Sequence, residues 1–262
     1  MNGRILISRL EETYPRHIAE SWDNPGLQAG RRDREIRKVY IALDASDEAI
    51  EQAAGWGADL LLTHHPLLMS GIKGVTADDL PGRRLLRLIE SGVACYSMHT
   101  NYDIVSMGQL AADRMGLQNA EVLTETGTDP QTGAAMGFGR IGSLPGSMTL
   151  AACGELVKEK FGLSSVKLFG DPERIVERAA ILPGSGKSMV GDALKKQAQV
   201  MISGDFGHHD GLDAADQGLM ILDAGHYGIE HIFIAHMAGY LRTCFPELEI
   251  REAPLHHPFQ VI

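Results

Sequence analysis

The sequence predicts an α/β fold of two similar, intertwined lobes, each built on a mainly parallel sheet covered by helices. Strand-like apolar runs alternate with helix-like segments along the chain. Polar residues of ligand type fall repeatedly just after those runs. A Gly-, Thr- and Pro-rich stretch near the middle separates two halves of similar element order. With 262 residues and 44% hydrophobic content, the chain can bury one large core or two modest ones.

Taken in order, Val39 to Leu43 reads as a strand. It precedes a helix that starts near Ser46, where Ser46 and Asp47 supply N-cap chemistry and Gly55 and Gly57 supply stops. Leu60 to Leu62 is the next strand. A helix from Leu80 to Ser91 stops at Gly92, and the strand Val93 to Met98 follows, then a helix from about Met107 to Met115. Thr124 to Gly146 is read from its composition as the boundary between lobes. Beyond it come a helix near Leu150 to Phe161, strands at Ser165 to Phe169 and Arg178 to Leu182, and a helix from about Ser188. A strand at Val200 to Ile202, a helix near Gly211 to Gln217, the strand Leu219 to Leu222 and a last helix from His226 complete the series. The expected division is 1–125 for a first lobe with most candidate ligands and 126–225 for a second. Residues 226–262 form a helix and strand that return to the first lobe.

Composition narrows the function. The formal charge of −10 disfavours a surface that tracks nucleic-acid phosphates, which needs clustered Lys and Arg. The one dense basic run, Gly30 to Lys38, is broken by Asp33 and Glu35 and reads as a solvated loop. Arg4, Arg9, Glu11 and Glu12 interrupt any signal-peptide core, and no run is long enough to cross a bilayer, so a cytoplasmic location is expected. Cys95, Cys153 and Cys244 are odd in number and lack C-x-x-C spacing, as fits a reducing compartment, and are expected to be buried.

In parallel α/β sheets, ligands gather past the carboxyl ends of strands. Here Thr63-His64-His65-Pro66 follows one strand and His99-Thr100-Asn101-Tyr102-Asp103 another. Asp223-Ala224-Gly225-His226 follows a third, with Glu230 four residues on. His226 and Glu230 at i and i+4 share a helix face and can reach one ion. The set His64, His65, Asp103, His226 and Glu230 exceeds what a single tetrahedral catalytic zinc takes from protein, so two divalent ions sharing a carboxylate fit better. Nitrogen and oxygen donors without thiolate suit zinc, iron or manganese. A pair of such ions would acidify a shared water and polarise a substrate oxygen.

Other motifs weigh less. Leu182-Pro183-Gly184-Ser185-Gly186-Lys187-Ser188 approaches a phosphate-binding loop but has Ile181 where the pattern demands glycine, so Lys187 is expected to be exposed rather than catalytic. His256-His257-Pro258 has no strand-end acid beside it, and no metal is expected there. Trp22-Asp23-Asn24-Pro25-Gly26 carries turn chemistry.

The strings WDNPGLQAG, LLTHHP, HTNYD, SGDFGHHDGLDAA and DAGHYGIE resemble, in order, the signature blocks of the Nif-three-like dinuclear metal-centre family, whose members are often labelled GTP cyclohydrolase I type 2 homologs. The resemblance spans nearly the whole chain. It implies a homohexameric ring of two-lobed subunits, two metal ions per subunit, and His64, His65, Asp103, His226 and Glu230 as ligands. His99, His208 and His209 would line the site or orient ligands, and Trp22 to Gly26 would lie at its rim. The leading expectation is a metal-dependent hydrolase of a small phosphorylated or heterocyclic metabolite with His99 as proton carrier. The alternative is a non-catalytic metal-binding or regulatory ring scaffold.

Overall fold

Local capping chemistry sets the ends of several helices. In the computed structural model, residues 1–259 are described. Helix α1, Gly3–Thr13, opens where the Asn2 side chain accepts from the Arg4 N–H, and it buries Leu6, Ile7 and Leu10 along one stripe. Two strands follow, β1 (Gly26–Ala29) and β2 (Lys38–Ala42). Helix α2, Asp47–Trp56, is capped by Ser46 and ends at Gly57 in the left-handed conformation, with Gly55 inside the helix rather than at its stop. Strand β3 is Leu60–Thr63. Helix α3, Leu80–Ser91, runs from an Asp79 cap to a left-handed Gly92, and β4 is Ala94–Ser97. The short α4, Thr100–Tyr102, leads into a π-helical segment, Asp103–Met107, and then α5, Gly108–Met115.

Strands β5 (Gln118–Thr128) and β6 (Ala135–Thr149) precede α6, Leu150–Phe161, which Thr149 caps. After β7 (Lys167–Phe169) and β8 (Ile175–Ser185) come α7 (Val190–Lys195), β9 (Val200–Gly204), α8 (His208–Asp216) and β10 (Met220–Asp223). Helix α9, His226–Glu230, is followed by α10, Ile232–Cys244, and β11, Glu249–Glu252.

The chain folds into two compact units. One comprises Met1–Tyr102 and Phe233–Leu255; the other comprises Asp103–Ile232 and the described residues after Leu255. In the first, the sheet order is β1-β4-β3-β2-β11, with β11, β2, β3 and β4 parallel and β1 antiparallel at the edge. Leu60, Leu61 and Leu62 are almost fully buried, as a parallel strand covered on both faces requires. Register aligns Ala42 with Thr63 and Thr63 with Ser97, so β2, β3 and β4 end level with one another.

In the second unit the order is β5-β6-β8-β9-β10-β7. Strands β8, β9 and β10 are parallel, while β5, β6 and β7 pair antiparallel, so this sheet is mixed rather than mainly parallel. The stretch Thr124 to Gly146, read from composition as a boundary, is built instead into the β5–β6 hairpin within this unit. Three of its glycines serve close strand approach. A Cβ on Gly137 would lie 2.0 Å from the Thr124 carbonyl oxygen, one on Gly139 2.8 Å from that of Ile181, and one on Gly142 2.7 Å from that of Gln118.

Cys95 and Cys153 are buried as expected, and burial pushes both thiols up to about 12. Cys244 departs from that expectation. It sits in the last turn of α10, on the solvent side, and is exposed.

Candidate metal centre

In the first unit the backbone N–H groups of His64 and His65 both donate to the Leu43 carbonyl, at 3.1 and 3.0 Å, which draws the end of β3 against the end of β2. His64 is fully buried, and its Nδ1 lies 2.8 Å from the Met98 carbonyl oxygen. A carbonyl only accepts, so Nδ1 carries the proton and Nε2 the lone pair, the tautomer a metal needs. His65 directs Nδ1 to Asp44 Oδ1 at 2.7 Å, and His99 directs Nδ1 to Asp23 Oδ1 at 2.8 Å. The three imidazoles cluster, with ring centroids 4.9 Å apart for His64 and His65, 5.2 Å for His64 and His99, and 5.6 Å for His65 and His99. Each offers one ligand atom within 4.8 Å of the others, a group able to hold a metal ion.

Asp23 is itself built in. Its side chain is sealed from solvent, and its Oδ2 accepts from the Thr100 N–H at 3.0 Å and the Thr100 hydroxyl at 2.5 Å. Burial pushes this carboxyl up, but the hydrogen bonds from His99 and Thr100 and the charge of His99 outweigh it and hold the group at about 2.

In the second unit α9 begins with His226 and ends with Glu230. His226 Nε2 is 2.9 Å from Glu230 Oε2, and His226 Nδ1 is 2.7 Å from Asp205 Oδ2. The two donor atoms lie close enough together for one ion to be held by both. Glycines let the helix sit directly on the strand ends. A Cβ on Gly184 (φ +82°) would lie 2.3 Å from Glu230 Oε1, and one on Gly204 would lie 2.6 Å from the His226 nitrogen. The phosphate-loop-like glycines thus have a local purpose, Gly184 clearing room for the Glu230 carboxylate and Gly186 for the Ser203 hydroxyl, and Lys187 is exposed as expected.

Asp205 adopts φ +62°, a left-handed conformation that Asp tolerates better than most residues. The buried Asp223 holds the neighbouring loops. It accepts from the Phe206 N–H at 3.2 Å and the Gly225 N–H at 2.9 Å, and pairs with Lys167 at 2.5 Å. Asp103 opens the π-helical segment of this unit; such segments are frequent at functional sites.

The first unit therefore gathers His64, His65 and His99, and the second gathers His226 and Glu230. His208 and His209 stand exposed at the start of α8, ring centroids 5.0 Å apart. His257 packs its ring against Tyr227 and His231. Asp23, Asp44 and Asp205, each turned to a histidine Nδ1, escaped the sequence reading. Asp44 and Asp205 each precede their histidine by 21 residues, one βα unit upstream, and so stand at the end of the adjacent strand. An acid just past the preceding parallel strand is the signal that finds them.

The donors fit a divalent ion of the zinc, iron or manganese kind: imidazole and carboxylate, no thiolate, and rings oriented from behind by carbonyl or carboxylate. The profile of Duf34/NIF3 (NGG1p interacting factor 3) matches residues 1–257. The chain belongs to the DUF34/NIF3 family. Among NIF3 relatives, the GTP cyclohydrolase 1 type 2 homolog of Clostridium perfringens is 35% identical over 86% of this chain and 85% of its own length. That of Streptococcus pneumoniae is 34% identical over 90% and 88%. A Staphylococcus aureus hypothetical protein superposes with a TM-score of 0.92 at 27% identity, over 100% of this chain and 99% of that one. A Bacillus cereus protein related to NIF3 does so with a TM-score of 0.90 at 25% identity, again over 100% and 99%.

Proposed function

We propose that this NIF3-family chain is a cytoplasmic, homohexameric protein with two divalent metal ions per subunit that hydrolyses a small phosphorylated or heterocyclic metabolite. His64, His65, Asp103, His226 and Glu230 are the ligands, and His99 carries the proton. The observation that carries this reading is the His226–Glu230 pair, its donor atoms 2.9 Å apart, with His226 braced from behind by Asp205. Among the described residues no helix is long and apolar enough to cross a membrane.

When bound, the ions supply Lewis acidity that lowers the pKa of a water and polarises a substrate oxygen. The protein's part is orientation and proton transfer. Met98, Asp44 and Asp205 fix the His64, His65 and His226 rings, so each presents Nε2. His99 is partly open to solvent, with its side chain 15% exposed, and Asp23 behind it holds the ring by Nδ1. It can accept a proton at Nε2 and return it to a leaving group.

The test is metal content and turnover on protein purified without chelator and reloaded with zinc, iron or manganese. Two ions per chain, with hydrolysis of a phosphoester, nucleotide or cyclic amide lost in both His65→Ala and Glu230→Ala, is the expected result. Turnover retained in those variants rejects the mechanism. Two ions with no turnover across the panel support the non-catalytic ring scaffold instead. Sedimentation velocity reads the hexamer.

A further inference from the structure

We infer that Trp22 is the stacking platform for a planar heteroaromatic ring, with the ring's substituents delivered beside His99. Single exposed apolar residues are ordinary on protein surfaces. Trp22 is set apart by what holds it and what it stands next to. Its side chain is 59% exposed, and its ring meets that of His99 with centroids 5.9 Å apart and planes at 75°. The other tryptophan, Trp56, has cations over its ring, Arg251 at 4.6 Å and Lys38 at 5.2 Å.

The loop that carries Trp22 is pinned on both sides. Glu20 donates its N–H to the Thr100 hydroxyl at 3.0 Å, and the Asp23 N–H closes a turn on the Glu20 carbonyl at 3.0 Å. Asp23 Oδ2 takes two hydrogen bonds from Thr100, Asn24 Nδ2 donates to the Leu68 carbonyl at 2.7 Å, and Arg16 Nε donates to the Pro25 carbonyl at 2.8 Å. The sequence thus fixes the backbone around Trp22 while leaving a large apolar ring in water. An indole so held loses little entropy on stacking and accepts any ring with a π face. Asp23 joins both features, since the carboxylate that anchors the loop also orients His99. A ring seated on the indole therefore comes to the imidazole by construction.

This deepens the proposed function and rests on its assignment of His99 as proton carrier; stacking itself needs no metal. The experiment follows intrinsic fluorescence of the full chain, metal-free and zinc-loaded. Acrylamide, AMP, GMP, UMP and ribose 5-phosphate are the probes, with calorimetric affinities for wild type, Trp22→Ala and Trp22→Phe. We expect acrylamide to reach Trp22 and at least one nucleotide to quench it saturably, while ribose 5-phosphate does not. Trp22→Ala should weaken nucleotide binding roughly ten-fold and Trp22→Phe much less. The inference is overturned if acrylamide cannot reach Trp22, which would mean a second chain covers it. It is also overturned if no nucleotide binds at millimolar concentration, or if Trp22→Ala binds as wild type does. Elemental analysis of the same samples separates the two claims. Ring binding to protein that takes up no zinc on loading counts against the metal assignment, and zinc uptake without ring binding counts against the platform.

Discussion

Of the three carboxylates that face a histidine Nδ1, Asp23 has a side chain closed to solvent, whereas those of Asp44 and Asp205 are 51% and 50% exposed. Water screens the exposed pairs and leaves them a mainly orienting role. The buried one is also a stability term. Its folded pKa is depressed from 3.8 to about 2, so its contribution is fully present above 3.8 and is lost as the pH falls towards 2. The shift corresponds to something on the order of 2 kcal/mol. Asp23→Asn should lower stability by about that amount at neutral pH, and urea midpoints taken at descending pH should show the gap to wild type closing below 3.8. A gap independent of pH would rule this account out. The candidate histidines were legible because each follows an apolar run. Asp23 was not, because its partner His99 lies 76 residues away and only the fold brings the two together.

Helix α9 spans only His226–Glu230, too short to persist by its own hydrogen bonds, so its geometry depends on what it rests against. That support is bare backbone. Gly204→Ala would put a methyl 2.6 Å from the His226 nitrogen and must push the helix off the end of β9. We expect faster amide exchange confined to His226–Glu230 and its flanks, weaker zinc binding, and unchanged sheet content by circular dichroism. Exchange and zinc affinity equal to wild type would show that the strand end yields without disturbing the helix. The i, i+4 spacing of His226 and Glu230 was readable from sequence, as was the end of α3 from its stop glycine, Gly92. The β5–β6 hairpin was not. Gly137, Gly139 and Gly142 answer to backbone contacts across strands, and composition cannot distinguish a glycine that permits approach from one that permits flexibility.

For the whole molecule, the α/β class and the paired sheets followed from the alternation of apolar periods, which records burial directly. The place where the compact units part carries no such mark. One such place falls between Tyr102 and Asp103, inside a continuous helical stretch with buried Tyr102 on one side and Ile104 on the other, where neither glycine nor proline breaks the pattern. The thiols give the molecule one more property. Cys95 and Cys153 are enclosed and held up to about 12, while Cys244 is open. A maleimide at neutral pH should therefore modify the native chain once and the urea-unfolded chain three times, as intact-mass spectrometry would count. More than one adduct on native protein would mean that a core opens on the timescale of the reaction. If one is found, α10 offers a ready-made attachment point for a dye or a surface, with no cysteine to remove and none to add.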